Sequence, residues 1–187
     1  MELDLAPTDR FDFAISATHT DSKLRSTLTS TDPSGKVSVV SGIRSGARMP
    51  SVPQDQASAA ATYRFPTPAW VGYITGVYQH VGDRFTQVGD EDLGSNATVD
   101  LRSFAPHNIG GPFTATTFTF DPRLPAYDIV NLRFGLLKGK WDTAFFVNNV
   151  TDERALLSLD RERGFRARVG YLTNQPRTFG ISTRVIF

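Results

Sequence analysis

The feature that most constrains this chain is the strict alternation of side-chain character over segments of ten or so residues. In 10–20, Phe11, Phe13, Ile15 and Ala17 fall on one side, and Asp12, Ala14, Ser16 and Thr18 on the other. A pleated strand sends successive side chains to opposite faces, whereas a helix would scatter these residues around its surface. The same period recurs in 56–65, where Ala57, Ala59, Ala61, Tyr63 and Phe65 oppose Ser58, Ala60, Thr62 and Arg64. In 70–84, Val71, Tyr73, Thr75, Val77 and Val81 oppose Gly72, Ile74, Gly76, Tyr78, His80 and Gly82. In 127–137, Val130, Leu132, Phe134 and Leu136 oppose Asn131, Arg133 and Gly135. Segment 141–150 is apolar on both faces at its centre, which leaves its orientation open. The closing segment, 177–187, alternates Phe179, Ile181, Thr183, Val185 and Phe187 against Thr178, Gly180, Ser182 and Arg184, with Ile186 as the exception. Segment 2–6 reads as the end of a further strand. Strands of about ten residues exceed the roughly five or six usual in soluble sheets and match the roughly 9–11 that cross a bilayer at a tilt.

The connections alternate as well. Short ones fall at 7–10, 66–69 and 138–140, and long ones at about 25–53, 86–123 and 151–175. An up-and-down antiparallel meander produces this order, with tight turns at one end and large loops at the other. That asymmetry belongs to outer-membrane barrels, with short periplasmic turns and long external loops. In a compact soluble domain, structureless connections of this length would count against the assignment. Aromatic residues mark the short-turn end. Phe65 and Trp70 flank one turn, Trp141 follows another and Phe187 ends the chain, as in the periplasmic aromatic girdle of a barrel. The competing explanation is the general preference of aromatics for strands.

Composition excludes several classes. The chain has 187 residues, a net charge of +1 and no cysteine, so thiolate metal sites and disulfides are ruled out and nothing calls for nucleic acid. No run approaches the roughly 18 apolar residues of a membrane helix. The mean hydropathy of -0.24 does not argue against membrane strands, whose alternation averages out. MELDLAPTDR has neither a basic region nor an apolar core, so no signal peptide is expected in this chain.

Taken together, YDIVNLRFGLLKGKW (127–141), AFFVNNVTDER (144–154) and QPRTFGISTRVIF (175–187) resemble the C-terminal quarter of TonB-dependent outer-membrane receptors. GARMPSVPQDQASAAATYRF (46–65) and YQHVGDRFTQ (78–87) resemble the loop-to-strand and strand-to-loop passages further upstream in that family. The resemblance covers nearly the whole chain. It implies that 1–187 is a C-terminal segment of the barrel: an all-β, partial and open transmembrane meander of about seven strands. The family also has a signal peptide, a TonB-contacting box, a globular plug and a barrel of about 22 strands, and nothing in this sequence resembles the first three. The implied whole protein is a receptor in the outer membrane of a Gram-negative bacterium that imports a nutrient chelate such as a ferric siderophore. Its implied partners are outer-membrane lipid, the rest of the barrel and the plug, and the barrel-assembly machinery. That machinery would read the final strand ending in Phe187.

Candidate sites are few. In 152–171, Arg161, Arg163, Arg166 and Arg168 could draw an anionic chelate to an external loop, although a solvated loop with local ion pairs gives the same pattern. Asn131, Arg133 and Arg184 are expected to face the lumen. His19, His80 and His107 lie far apart in sequence, so no metal site is expected. The glycines of 104–113 lack the strand-to-helix context of a phosphate loop, no catalytic set stands out, and neither a cofactor nor an enzymatic activity is expected. Two other architectures fit the alternation. One is an eight-stranded self-contained barrel of adhesive or structural role, with TATTFTF (114–120) as its eighth strand. The other is a soluble β-sandwich binding module, in which the face of Val130, Leu132 and Phe134 packs against that of Phe179 and Ile181.

Overall fold

A computed structural model describes residues 1–100, 117–161 and 169–185. Seven strands form one sheet: β1 (Glu2–Thr8), β2 (Phe11–His19), β3 (Asp55–Pro66), β4 (Val71–Val81), β5 (Tyr127–Lys138), β6 (Trp141–Asn148) and β7 (Thr178–Val185). They are hydrogen-bonded in chain order, every neighbouring pair antiparallel. Among the described residues the sheet is open, with β1 and β7 each paired on one side only. Every alternating segment is thus a strand of the meander.

Register decides what each face carries, because directly opposed residues of an antiparallel pair project to the same side. Following the pairs across, Leu5 meets Phe13, Phe13 meets Ala61, Tyr63 meets Ile74, Ile74 meets Phe134, Phe134 meets Phe145 and Phe145 meets Ile181. One face is therefore a continuous apolar wall. The other carries Asp12, Ser16, Ser58, Thr62, Arg64, Thr75, Asn131, Arg133, Asp142, Ser182 and Arg184. Asn131, Arg133 and Arg184 do share this polar face, as expected for a wet interior. The register also settles β6: Phe145 joins the apolar wall, while Phe146, opposite Arg133 and Gly180, joins the polar one.

Burial is inverted relative to a soluble domain. Phe179 and Ile181 are each 75% exposed, and Phe134, Leu136 and Phe145 are exposed beside them. The buried apolar cluster of Ala97, Phe120, Leu124 and Leu159 lies in the long connections instead. The sandwich reading is thereby overturned: Val130, Leu132, Phe134, Phe179 and Ile181 sit side by side on one exposed face. The eight-stranded reading fails too. Thr117–Phe120 pairs with Ala97–Asp100 outside the main sheet.

Nor are the long connections structureless. Thr29–Thr31 pairs with Val37–Val39, Arg84–Phe85 with Arg123–Leu124, and Leu156–Arg161 with Val169–Thr173. Their own alternation is too short to stand out in sequence, and β-pairing satisfies backbone groups that would otherwise be left unpaired.

Aromatic rings fill the gaps that glycines leave on both faces of the sheet. Tyr73 is directly opposite Gly135, Phe146 opposite Gly180 and Phe65 opposite Gly72, and each ring occupies the space a Cβ would take. Replacing Gly135 by valine is expected to displace the Tyr73 ring and cost about 1–3 kcal/mol. The denaturation midpoint of the chain folded in detergent checks this. At Gly76 an added Cβ meets only the Leu132 side chain, at 3.5 Å, so alanine there should change stability by less than about 0.5 kcal/mol.

Candidate functional site

The short turns after β1, β3 and β5 lie at one end of the sheet, and the connections 20–54, 82–126 and 149–177 leave the other. These three long connections are tied to one another by specific contacts. Asp83, just past β4, accepts hydrogen bonds from Arg48 Nη1 at 2.9 Å and Arg123 Nε at 3.0 Å. Arg48 Nη2 donates to the Asp83 carbonyl at 2.7 Å, and the guanidinium lies 5.4 Å from the Phe85 ring centre. Burial pushes the Asp83 carboxyl up, but the two arginines outweigh it and hold the group below its ordinary value. Arg44 Nε pairs with Asp92 at 2.7 Å, and the Arg48 N–H donates to Glu91 at 3.0 Å. Next to these contacts the backbones of Gly42 and Gly89 meet so closely that neither position has room for a Cβ, and both have positive φ.

The second connection also holds the third. Arg84 is buried, with its guanidinium 5.6 Å from the Tyr127 ring centre. Its Nη2 donates to the carbonyls of Leu156 and Leu157 at 3.3 and 2.9 Å. Thr86 Oγ1 accepts the Leu159 N–H at 3.1 Å, and Leu159 fills the apolar cluster with Leu124 and Phe120.

Where β6 ends, the NNVTDER segment builds a polar clip. Asn149 is buried, with φ of 52°, a conformation asparagine tolerates better than most residues. Its Nδ2 donates to the carbonyls of Glu153 and Gln175 at 2.9 and 3.0 Å, and its Oδ1 accepts the Glu153 N–H at 2.9 Å. Its own N–H donates to Asn131 Oδ1 on β5 at 2.9 Å. Asp152, with φ of 54°, accepts the Arg177 N–H at 2.8 Å, and this bond holds its carboxyl below the ordinary value. Both ends of the third connection are thereby fastened to the sheet.

The polar face carries its own network. Tyr73 donates to Asp142 at 2.9 Å, and Arg133 Nε donates to the Tyr73 oxygen at 3.0 Å. Arg64 pairs with Asp12, and the hydroxyls of Ser16 and Ser58, and of Thr62 and Thr75, bond across strands at 2.9 and 3.0 Å. Arg184 lies opposite Asp142 in register.

Of the sequence-predicted residues, the structure brings together the aromatics at the short-turn end. The rings of Phe65 and Trp70 meet edge to face with centres 5.9 Å apart, and Trp70 and Trp141 line one depression. Phe187 lies outside the described residues, as do Arg163, Arg166 and Arg168. Arg161 closes the strand Leu156–Arg161 in the long-loop assembly, and its side chain is outside the description. His19 and His80 each bond one aspartate, Asp55 at 2.7 Å and Asp128 at 2.8 Å, and His107 lies outside. Among the described residues no three metal-ligating side chains gather. Sequence reading missed Arg48, Asp83 and Arg84, whose partners are 35 to 73 residues away in the chain.

This architecture is similar to that of solved receptors. The ferric yersiniabactin uptake receptor FyuA from Yersinia pestis superposes with a TM-score of 0.62 at 16% identity, over 100% of this chain and 23% of that one. The siderophore receptor PiuA from Acinetobacter baumannii gives 0.58 at 17% identity, over 97% of this chain and 20% of that one. The chain has the fold of a TonB-dependent receptor barrel. It spans between a fifth and a quarter of the length of these receptors. No protein-family model and no curated protein sequence matches it.

Asn149→Ala removes three side-chain hydrogen bonds and leaves partly buried backbone groups unpaired. A cost of about 2–4 kcal/mol is expected, confined to 149–177 and read as faster amide exchange there with β3–β5 unchanged. Asp83 should act through acid. Its depressed folded value means that its stabilisation is present above the unfolded carboxylate value and lost as pH falls through the folded one. Amide exchange in 82–92 is expected to quicken below about pH 4, and Asp83→Asn should remove that acid step.

Proposed function

We propose that the chain is the C-terminal part of the wall of an outer-membrane TonB-dependent receptor, whose whole product imports a nutrient chelate such as a ferric siderophore. The observation that carries this reading is the exposed apolar wall with a wet face behind it. Its height fits a bilayer. On β5 the outward positions run from Asp128 to Lys138 with Val130, Leu132, Phe134 and Leu136 between them. From one charged end to the other, ten steps of ~3.4 Å tilted by ~40° rise ~26 Å, so the apolar stretch they bound fits within the ~25 Å apolar band of membrane barrels.

In this orientation the tight turns face the periplasm and the long-loop assembly faces outside. The apolar wall meets outer-membrane lipid and the polar face lines the lumen. Open sheet edges are not tolerated in lipid, so β1 and β7 call for further barrel strands as neighbours, with a plug against the polar face. The final strand, ending in Phe187, would be what the barrel-assembly machinery recognises. The loop arginines Arg161, Arg163, Arg166 and Arg168 suit contact with an anionic chelate. The siderophore receptors that share the fold support the substrate class, and nothing in the net charge of +1 points to nucleic acid.

The test is uptake. Deleting the gene for the complete polypeptide is expected to lower uptake of one ferric chelate, out of a panel, at least about tenfold under iron limitation. Unchanged uptake of every chelate in the panel would contradict the transport assignment.

A further inference from the structure

At the short-turn end, the apolar wall has a depression of about 300 Å³ lined by Trp70, Leu136, Lys138, Trp141 and Thr143. Three features set it apart from the rest of the wall. The first is its tryptophans: the chain has only two, and both line it. Trp141 is 56% exposed although it lies in the main sheet. Trp70 is held in place by the turn, in which Thr67 Oγ1 accepts its backbone N–H at 3.1 Å and Phe65 abuts its ring.

The second is a cation with no counter-charge among the described residues. Lys138 projects to the apolar side, directly opposite Trp141, and has no hydrogen-bond or ion-pair partner among the described residues. The nearest acid along β6, Asp142, is on the other face and is engaged by Tyr73 and Arg133. The third is the order of chemistries. Leu136 lies one outward step deeper along β5, while Lys138 and the turn residue Lys140 lie at the rim.

An ammonium and two indoles level with it at the rim, over an apolar floor, match a lipid entering a bilayer from its headgroup: phosphate and glycerol ester, then acyl chain. Indole rings favour that interfacial depth, and lysine stems run along apolar surface while the charge stays at the headgroup. We propose that this depression is a binding site for an anionic phospholipid of the leaflet at the short-turn end, with Lys138 on its phosphate and Trp70 and Trp141 flanking its glycerol region. The proposal rests on the reading of the apolar wall as lipid-facing, and its test separates the two.

Because Trp70 and Trp141 are the chain's only tryptophans, their fluorescence reports on this site alone. The complete polypeptide, with any tryptophan outside these 187 residues replaced by phenylalanine, is reconstituted in phosphatidylcholine vesicles in which a minor fraction carries brominated acyl chains, either as phosphatidylglycerol or as phosphatidylcholine. Brominated phosphatidylglycerol is expected to quench at about one-fifth the mole fraction that brominated phosphatidylcholine needs. A preference of about fivefold is the order expected of one lysine at an anionic headgroup. Lys138→Gln should abolish the preference while leaving quenching by phosphatidylcholine in place, and Lys138→Arg should keep it. Equal quenching by the two lipids overturns the site and leaves the lipid-facing wall standing. Quenching by neither overturns both.

Discussion

Everything in this molecule depends on the pairing register of one antiparallel meander. The side-chain period of a strand is two, so a slip of one residue between any two neighbours would move a whole strand to the opposite face. The observed register sets Tyr63, Ile74, Phe134, Phe145 and Ile181 in one row across the sheet. The same choice places Thr62, Thr75, Arg133, Phe146 and Gly180 in the adjacent row on the other side. Polar contacts such as Ser16 to Ser58 and Thr62 to Thr75 reinforce that register from the polar face. Aromatic rings over Gly72, Gly135 and Gly180 reinforce it by shape, since each ring occupies the space a Cβ would take at the facing glycine.

A sheet built this way leaves its largest apolar side chains uncovered, and the compact packing moves to the long-loop end. There the cluster around Leu124 and Leu159, the buried Arg84 and the Asp83 clasp hold three separate connections together. The clasp is partly buried, so its ion pairs are screened less than those of exposed side chains. The two ends of the molecule therefore differ in chemistry: tight turns with tryptophan and lysine at one, cross-linked hairpins rich in arginine and aspartate at the other.

The strands were legible in sequence because their information is local. Phe11, Phe13 and Ile15 announce a face without reference to anything else in the chain. Segment 141–150 was not orientable, because Ala144, Phe145, Phe146 and Val147 are all apolar and only the partners on β5 and β7 separate them. The loop assembly was hidden for the same reason. Asp83 becomes distinctive only when Arg48 and Arg123 arrive from both sides of it. The short pairings at Arg84–Phe85 and Arg123–Leu124 span two residues each, too few to show a period. Asn149 and Asp152 lie between these extremes. Their segment stood out as a motif, but its reason, two positive-φ residues capping a strand, is visible only in three dimensions.

The central claim is that the apolar wall faces lipid and the polar face does not. The chain has no cysteine, so single cysteines carrying nitroxide labels can be placed along β5 from 129 to 137 without background. In bilayers, the account predicts high oxygen accessibility at 130, 132, 134 and 136 and high accessibility to a water-soluble nickel chelate at 131 and 133. A scan with no alternation, or with the phase reversed so that 131 and 133 face lipid, would contradict it.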